Sequence, residues 1–163
     1  MDARERPGGP GRWVLLAYRL PREPSTPRIA LWRQLKRLGV VQLTDGLVAL
    51  PLDSRTREAL EWIADAVDEG GGDAAIWLAQ PSSRRQEREL AARMAEAVAA
   101  EYRAVADAAR ATAGETLAVR RRTLARLRRE LQRIRRRDYF PPPERAQAEG
   151  AVMDLAEALE AAA

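Results

Sequence analysis

Residues 13–80 decide the fold of this chain, and they read WVLLAYRLPREPSTPRIALWRQLKRLGVVQLTDGLVALPLDSRTREALEWIADAVDEGGGDAAIWLAQ. The segment opens with a short, β-favouring apolar run that ends before Pro21. Thr26-Pro27 then has the pattern of an N-cap followed by proline at the first helical position, and leucines follow at helical spacing until Gly39. These signals predict a strand followed by a helix.

The rest of the segment predicts two strands, a second helix and a last strand. Asp45-Gly46 separates two apolar runs and is a hairpin signal, because glycine accepts positive φ. Asp53 or Ser54 can cap the second helix, a run of three glycines ends it, and a further apolar stretch follows. The order βαββαβ is typical of the ferredoxin-like α+β fold, in which two helices cover one face of a four-stranded antiparallel sheet.

The chain is predicted to have three parts: a flexible leader (1–11), a ferredoxin-like domain (12–81) and a helical extension (82–163). The leader is charged, rich in glycine and proline, and lacks an apolar core. In the extension, the spacing of apolar residues indicates three helices. We expect an arginine-rich α-helical hairpin with a third helix packed beside it, and the prolines 141–143 separate the last two helices.

The amino-acid composition restricts the chemistry that is possible. The chain has 163 residues, with no histidine and no cysteine. This removes Ser-His-Asp and Cys-His nucleophile pairs, Cys/His zinc sites and histidine general bases. A phosphate-binding P-loop is also absent from the sequence. We therefore expect a protein that is not an enzyme, with no catalytic residues, no metal site and no cofactor.

The sequence also bears on location. No apolar run approaches the roughly 20 residues that a membrane-spanning helix needs, so no membrane partner is expected. The lack of cysteine is compatible with a reducing compartment. We expect a cytoplasmic protein.

Positive charge is concentrated in residues 115–138, which hold ten arginines against three acids, a net charge of +7. Residues 1–81 are neutral in sum, residues 82–114 carry +1, and residues 139–163 carry −4. One segment therefore holds more positive charge than the whole chain, whose net charge is +4.

The same segment has an apolar face, because Leu124, Leu127, Leu131 and Ile134 follow one another in steps of three, four and three. The arginines mostly occupy the other faces of the predicted helix. They are the candidate nucleic-acid-binding residues: Arg120, Arg121, Arg122, Arg126, Arg128, Arg129, Arg133, Arg135, Arg136 and Arg137.

Two hypotheses account for this arginine helix. In the first, the positive stripe neutralises phosphates and gives salt-dependent binding to DNA. No helix-turn-helix pattern is evident, so such contacts are expected to be phosphate-directed. In the second, arginine is simply the default solvated residue of a chain with 27 arginines and one lysine. The arginines then pair with acids of the third helix, namely Glu144, Glu149, Asp154 and Glu157.

Several separated motifs occur in the order of a known family. They are WVLLAYRLPREPS (13–25), RIALWRQLKRLG (28–39) and IRRRDYF (134–140). Over roughly residues 12–160, the chain resembles the N-terminal domain of the ChrB family of chromate-resistance regulators. The strand-helix-hairpin part is more weakly similar to the middle domain of the PaaX repressors.

The ChrB resemblance implies a chromate-responsive transcriptional regulator that acts on a chromate-efflux operon. Longer members continue into a second domain, whereas this sequence stops at Ala163. If that second domain senses chromate, this chain is expected to bind DNA without sensing, or to serve another operon. The alternative is a non-DNA accessory or oxyanion-binding module in metal-oxyanion resistance.

Two further expectations concern ligands and partners. Chromate is a divalent oxyanion that arginines and the start of the first helix can bind, although the solvated face of an amphipathic helix is the stronger explanation for Arg33, Lys36 and Arg37. The candidate oxyanion-binding residues are Arg19, Arg22, Arg28 and Arg33. A homodimer is also expected, and an exposed Trp62 on the second helix would indicate a contact between the two copies.

Overall fold

The computed structural model describes residues 11–163. Of the predicted leader, residues 1–11, all but Gly11 lies outside the described residues. Between residues 11 and 163, no helix has both the length and the apolar character needed to cross a membrane.

The order of strands and helices is the one predicted. The elements are β1 Trp13–Arg19, α1 Thr26–Leu38, β2 Val41–Thr44, β3 Leu47–Pro51, α2 Ser54–Glu69, β4 Asp73–Ala79, α3 Arg84–Ala111, α4 Leu117–Arg136 and α5 Glu144–Ala161.

The strands form one antiparallel sheet in the order β2-β3-β1-β4. Strand β1 lies inside the sheet, where Leu15 is opposite Ala49 of β3 and Trp77 of β4. The two edges of the sheet are β2 and β4. With helices α1 and α2, this arrangement confirms the predicted ferredoxin-like α+β fold.

The hairpin between β2 and β3 turns at Gly46, as predicted. Gly46 has a φ of 73°, and its carbonyl oxygen accepts a hydrogen bond from the Tyr18 backbone N–H at 2.8 Å. A Cβ at this position would lie 2.6 Å from the Tyr18 carbonyl oxygen. Both the backbone conformation and the close approach of β1 therefore require glycine.

The two sheet-covering helices begin differently. Asp53 caps α2 with a full capping box: its carboxylate accepts from the Thr56 N–H at 2.7 Å, and its own N–H donates to Thr56 Oγ1 at 3.0 Å. Helix α1 already includes Thr26, so the predicted N-cap is wrong by one residue. Ser25 holds the cap position and makes no side-chain cap hydrogen bond, and the proline after Thr26 supplies the helix-starting backbone geometry instead.

The contacts between residues divide the chain into two compact units. We call residues 11–92 the sheet unit and residues 93–163 the helical unit. The division falls between Ala92 and Arg93, within α3, whereas the sequence predicted a domain boundary after residue 81.

Each unit has its own apolar core. In the sheet unit, α2 packs against β1 and β4, and Val14, Leu16, Leu35 and Leu60 are fully buried. In the helical unit, one cluster joins residues of α3, α4 and α5. Its members include Val98, Tyr102, Val105, Leu124, Leu127, Leu131, Ile134, Ala148, Val152, Leu155 and Leu159.

Candidate nucleic-acid interface

Helix α4 is anchored by its apolar face. Its first turn is capped by Thr116, whose hydroxyl accepts a hydrogen bond from the Val119 N–H at 3.4 Å. The predicted apolar face is confirmed, because its four members are buried in the core of the helical unit: Leu124, Leu127, Leu131 and Ile134. The opposite face of α4 is therefore turned toward solvent.

Five arginines form a continuous stripe along that opposite face. We call them the outer stripe: Arg122, Arg126, Arg129, Arg133 and Arg136. All five are exposed, and they follow one another in steps of four, three, four and three residues. With 100° of rotation and 1.5 Å of rise per residue, such steps keep the side chains on one face over about 21 Å.

The outer stripe keeps most of its positive charge. Arg126 forms an ion pair with Glu130 one turn later, with Nη1 and Oε2 3.3 Å apart and both side chains substantially exposed. An exposed ion pair of this kind contributes little to the free energy of unfolding, and salt screens the attraction between its charges. Arg122, Arg129 and Arg133 have no acidic partner within the described part of the chain.

Two other arginines, one within α4 and one at its C-terminal cap, join helices. Arg135 donates from Nη2 and Nε to Oε1 of Glu149 on α5, at 2.7 and 3.1 Å. Arg137, the residue after α4, donates in the same way to Oε2 of Glu101 on α3, at 2.6 and 3.1 Å. The hydrogen bonds from Arg135, joined by one from Arg145, hold the pKa of Glu149 below its ordinary value. These two arginines are structural in this arrangement.

The remaining three candidates lie elsewhere on the helix. Arg121 and Arg128 are exposed beside the outer stripe. Arg120 is half-buried, and its Nε atom is buried without a hydrogen bond. Four residues before Leu124, Arg120 falls in line with the apolar face, which explains its burial.

The acidic helix α5 neutralises α4 less than the second hypothesis requires. Glu149 alone of the four proposed acids pairs with an arginine of α4 within residues 11–163. Glu144 pairs instead with Arg103 of α3, at 3.2 Å. Neither Asp154 nor Glu157 forms an ion pair in the same range. Four arginines of the outer stripe therefore form no ion pair with an α5 acid within residues 11–163: Arg122, Arg126, Arg129 and Arg133.

A buried polar group fixes the chain just after α4. The Asp138 side chain is fully buried, and its Oδ2 accepts a hydrogen bond from the Tyr102 hydroxyl at 2.8 Å and lies 3.5 Å from Arg145 Nη1. Burial and the neighbouring Asp138 carboxylate raise the pKa of Tyr102 well above its ordinary value. The other carboxylate oxygen, Oδ1, is buried without a hydrogen bond.

Sequence reasoning did not identify this group, although a signal was present. Asp138 follows Ile134 by four residues, so it continues the rhythm of the apolar face. An acid directly after an arginine run nevertheless resembles one more solvated charge. The position on the face was the better indicator of burial.

The four candidate oxyanion-binding residues are not joined into one site by any polar contact between described residues. They are all exposed, and Arg19 pairs with Asp73 at 3.4 Å. Arg28 and Arg33 are five residues apart on α1, so their side chains leave the helix in directions about 140° apart. A single anion between these two is not favoured by that geometry.

Residues 11–163 contain no group of three acidic side chains gathered closely enough to hold a metal ion.

Comparison with known proteins gives one family. The family model described as "Protein ChrB, N-terminal" matches residues 28–163. This match begins in α1 and includes α4 with its arginines.

A curated relative agrees with that match. Protein ChrB from Cupriavidus metallidurans (strain CH34) is 35% identical over 82 residues, which cover 49% of this chain and 25% of that protein. The chain thus spans about a quarter of the length of this relative. No solved structure matches the chain.

Proposed function

This chain belongs to the chromate-resistance family of ChrB N-terminal domains, and from that premise we propose that it is a cytoplasmic transcriptional regulator that binds DNA through α4. The outer stripe makes the contacts, and it makes them to phosphates. The genes it controls are those of chromate resistance.

The observation that carries this proposal is that the exposed arginines on the solvent face of α4 form a continuous stripe and are mostly not neutralised by acids. A stripe of five guanidinium groups over about 21 Å passes many phosphates of a duplex, which carries one charge per 1.7 Å or so of helix axis. Arg122, Arg129 and Arg133 have no acidic partner in residues 11–163, so binding DNA breaks no ion pair at these positions.

Arginine also has the chemistry that phosphate binding requires. Its planar fork of N–H donors matches two phosphate oxygens and remains charged at any physiological pH. The buried leucine face and the ion pairs of Arg135 and Arg137 hold α4 in place, so the outer stripe is ordered before DNA arrives. Contacts of this kind give affinity and orientation, and they carry no base readout.

Salt dependence of duplex binding tests the proposal. If all five stripe arginines contact phosphates, the logarithm of affinity falls with a slope of about −4.5 against the logarithm of salt concentration. The triple variant R122Q/R129Q/R133Q is expected to reduce that slope to about −1.8. The measurement is fluorescence anisotropy of labelled duplexes, including the DNA upstream of the gene itself.

A matched control distinguishes the stripe from net charge. The variant R37Q/R84Q/R88Q removes three exposed positive charges from the sheet unit instead. It is expected to retain the full slope. Equal losses in the two variants would show that binding follows total charge and not α4.

An absence of binding by the unmodified protein at low salt would reject DNA as the partner. The alternative, a non-DNA accessory or oxyanion-binding module, would then be tested by titrating chromate. Isothermal titration calorimetry with sulfate as the competing oxyanion reports whether any such binding is selective.

A further inference from the structure

Strand β4 is an edge of the sheet that exposes large apolar side chains. It pairs with β1 on one side, and no strand pairs with its other side within residues 11–163. Trp77 is 60% exposed and Leu78 is 39% exposed. An edge strand also directs alternate backbone N–H and C=O groups outward, where they are free to pair with another strand.

The opposite edge of the sheet, strand β2, is shorter and less regular, although its Leu43 is 36% exposed. Strand β2 has four residues, and its pairing with β3 is interrupted by a register shift between Gln42 and Thr44. Short length, polar side chains and bulges are the usual protections of an edge. Strand β4 has seven residues and pairs with β1 without interruption, and its one charged residue, Asp73, stands at its end.

We infer that β4 is the contact surface for a second copy of this chain, whose β4 pairs with it antiparallel across a twofold axis at Ile76. On either side of the Ile76 pair at the axis, this register places large side chains opposite small ones. Trp77 lies opposite Ala75 of the second copy, and Leu78 lies opposite Ala74. Because the axis repeats each contact, both tryptophans are covered, and the two sheets become one continuous sheet.

The inference does not depend on DNA binding, and it uses residues of the sheet unit alone. Trp62 is the competing candidate, since it is 71% exposed on the solvent face of α2. The two tryptophans therefore form a matched pair. Both are exposed and both are in the sheet unit, but Trp77 alone lies on the strand edge.

Sedimentation velocity over a concentration series tests the surface. The unmodified chain is expected to dimerise, and Trp77→Glu is expected to raise the dissociation constant roughly a thousandfold, because an anchoring aromatic is lost from both copies. Trp62→Glu is expected to leave the dissociation constant unchanged. A monomer at every concentration, or a dimer lost through Trp62→Glu alone, would overturn the inference. Circular dichroism verifies that each variant is folded.

Cysteine crosslinking tests the register. The chain contains no cysteine, so a single introduced thiol can form a disulfide only with the same thiol of a second copy. Ile76→Cys places two thiols directly opposite each other, within disulfide reach. Ala75→Cys places them on a diagonal about 7–8 Å apart and is expected to crosslink far more slowly. Faster crosslinking of Ala75→Cys, or none by either variant, would contradict pairing at Ile76.

Discussion

The sheet unit and the helical unit use ion pairs differently. Ion pairs of the sheet unit, such as Arg19 with Asp73, are well exposed to solvent. The helical unit instead joins its helices through polar groups, as in the pair of Arg137 with Glu101 and the buried Asp138. What each unit leaves exposed is also opposite: an apolar strand edge on the first and a cationic helix face on the second.

This difference follows from how the two cores are made. The strands of the sheet unit are rich in branched and aromatic residues. At the edge strand β4, some of these apolar side chains, Trp77 and Leu78, remain exposed. Three alanine-rich helices have less apolar volume, so hydrogen bonds and ion pairs supply part of their alignment. The arginines that are not needed for alignment remain on the outer stripe.

The largest expected effect comes from one leucine in each core. Leu60 in the sheet unit and Leu127 in the helical unit are both fully buried. Replacing either by alanine is expected to lower the free energy of unfolding by about 2–5 kcal/mol, because the lost contacts leave a cavity. Urea titrations provide the measurement.

The two leucine variants also separate the units, because all four tryptophans are in the sheet unit. Leu60→Ala is expected to shift the tryptophan fluorescence transition, and Leu127→Ala is expected to shift chiefly the helical circular dichroism signal. Identical shifts by both probes in both variants would show that the units unfold as one.

A smaller effect is expected from removing one hydroxyl in the helical unit. Tyr102→Phe takes away the hydrogen bond to the buried Asp138 carboxylate, and we expect a loss of about 1.5–3 kcal/mol in unfolding free energy. The matched control is Tyr18→Phe in the sheet unit. The Tyr18 hydroxyl forms no hydrogen bond with residues 11–163, so little change is expected there. Equal losses would contradict the special role of the buried pair.

The fold was predictable because its signals are local. Asp45-Gly46 and Gly39 mark turns that few other residues allow, and the Asp53 cap depends on a neighbour three residues away. The ion pairs of α4 were harder to predict, since they depend on how the helices rotate against one another. The sequence predicted Glu149 of α5 as a partner of the arginines. It did not predict Glu101, because Glu101 lies on α3 and nothing in the sequence near α4 indicates that contact.

The next effect depends on pH and concerns Glu149. Because Arg135 and Arg145 hold its pKa below the ordinary value of 4.5, the folded protein binds fewer protons than the unfolded chain in that range. Its contribution to stability is present above pH 4.5 and is lost as the pH falls through the lower folded value.

Unfolding free energies measured between about pH 5 and pH 3 test this expectation. Glu149→Gln is expected to give a shallower fall than the unmodified chain. A fall of equal steepness in Glu149→Gln and in the unmodified chain would contradict a contribution from this carboxylate.

The smallest effect on stability is expected at Arg126, and it separates the two uses of arginine in the helical unit. Arg126 belongs to the outer stripe, and its exposed pair with Glu130 is of a kind that contributes about 0.3–0.5 kcal/mol. Arg126→Gln is therefore expected to leave the unfolding transition nearly unchanged while lowering the salt slope of DNA binding by about 0.9. Arg137→Gln is expected to do the reverse, because its pair with Glu101 is shorter and better buried. Anisotropy and urea unfolding of the same two preparations decide the matter: a loss of stability in Arg126→Gln, with an unchanged slope, would place Arg126 among the structural arginines.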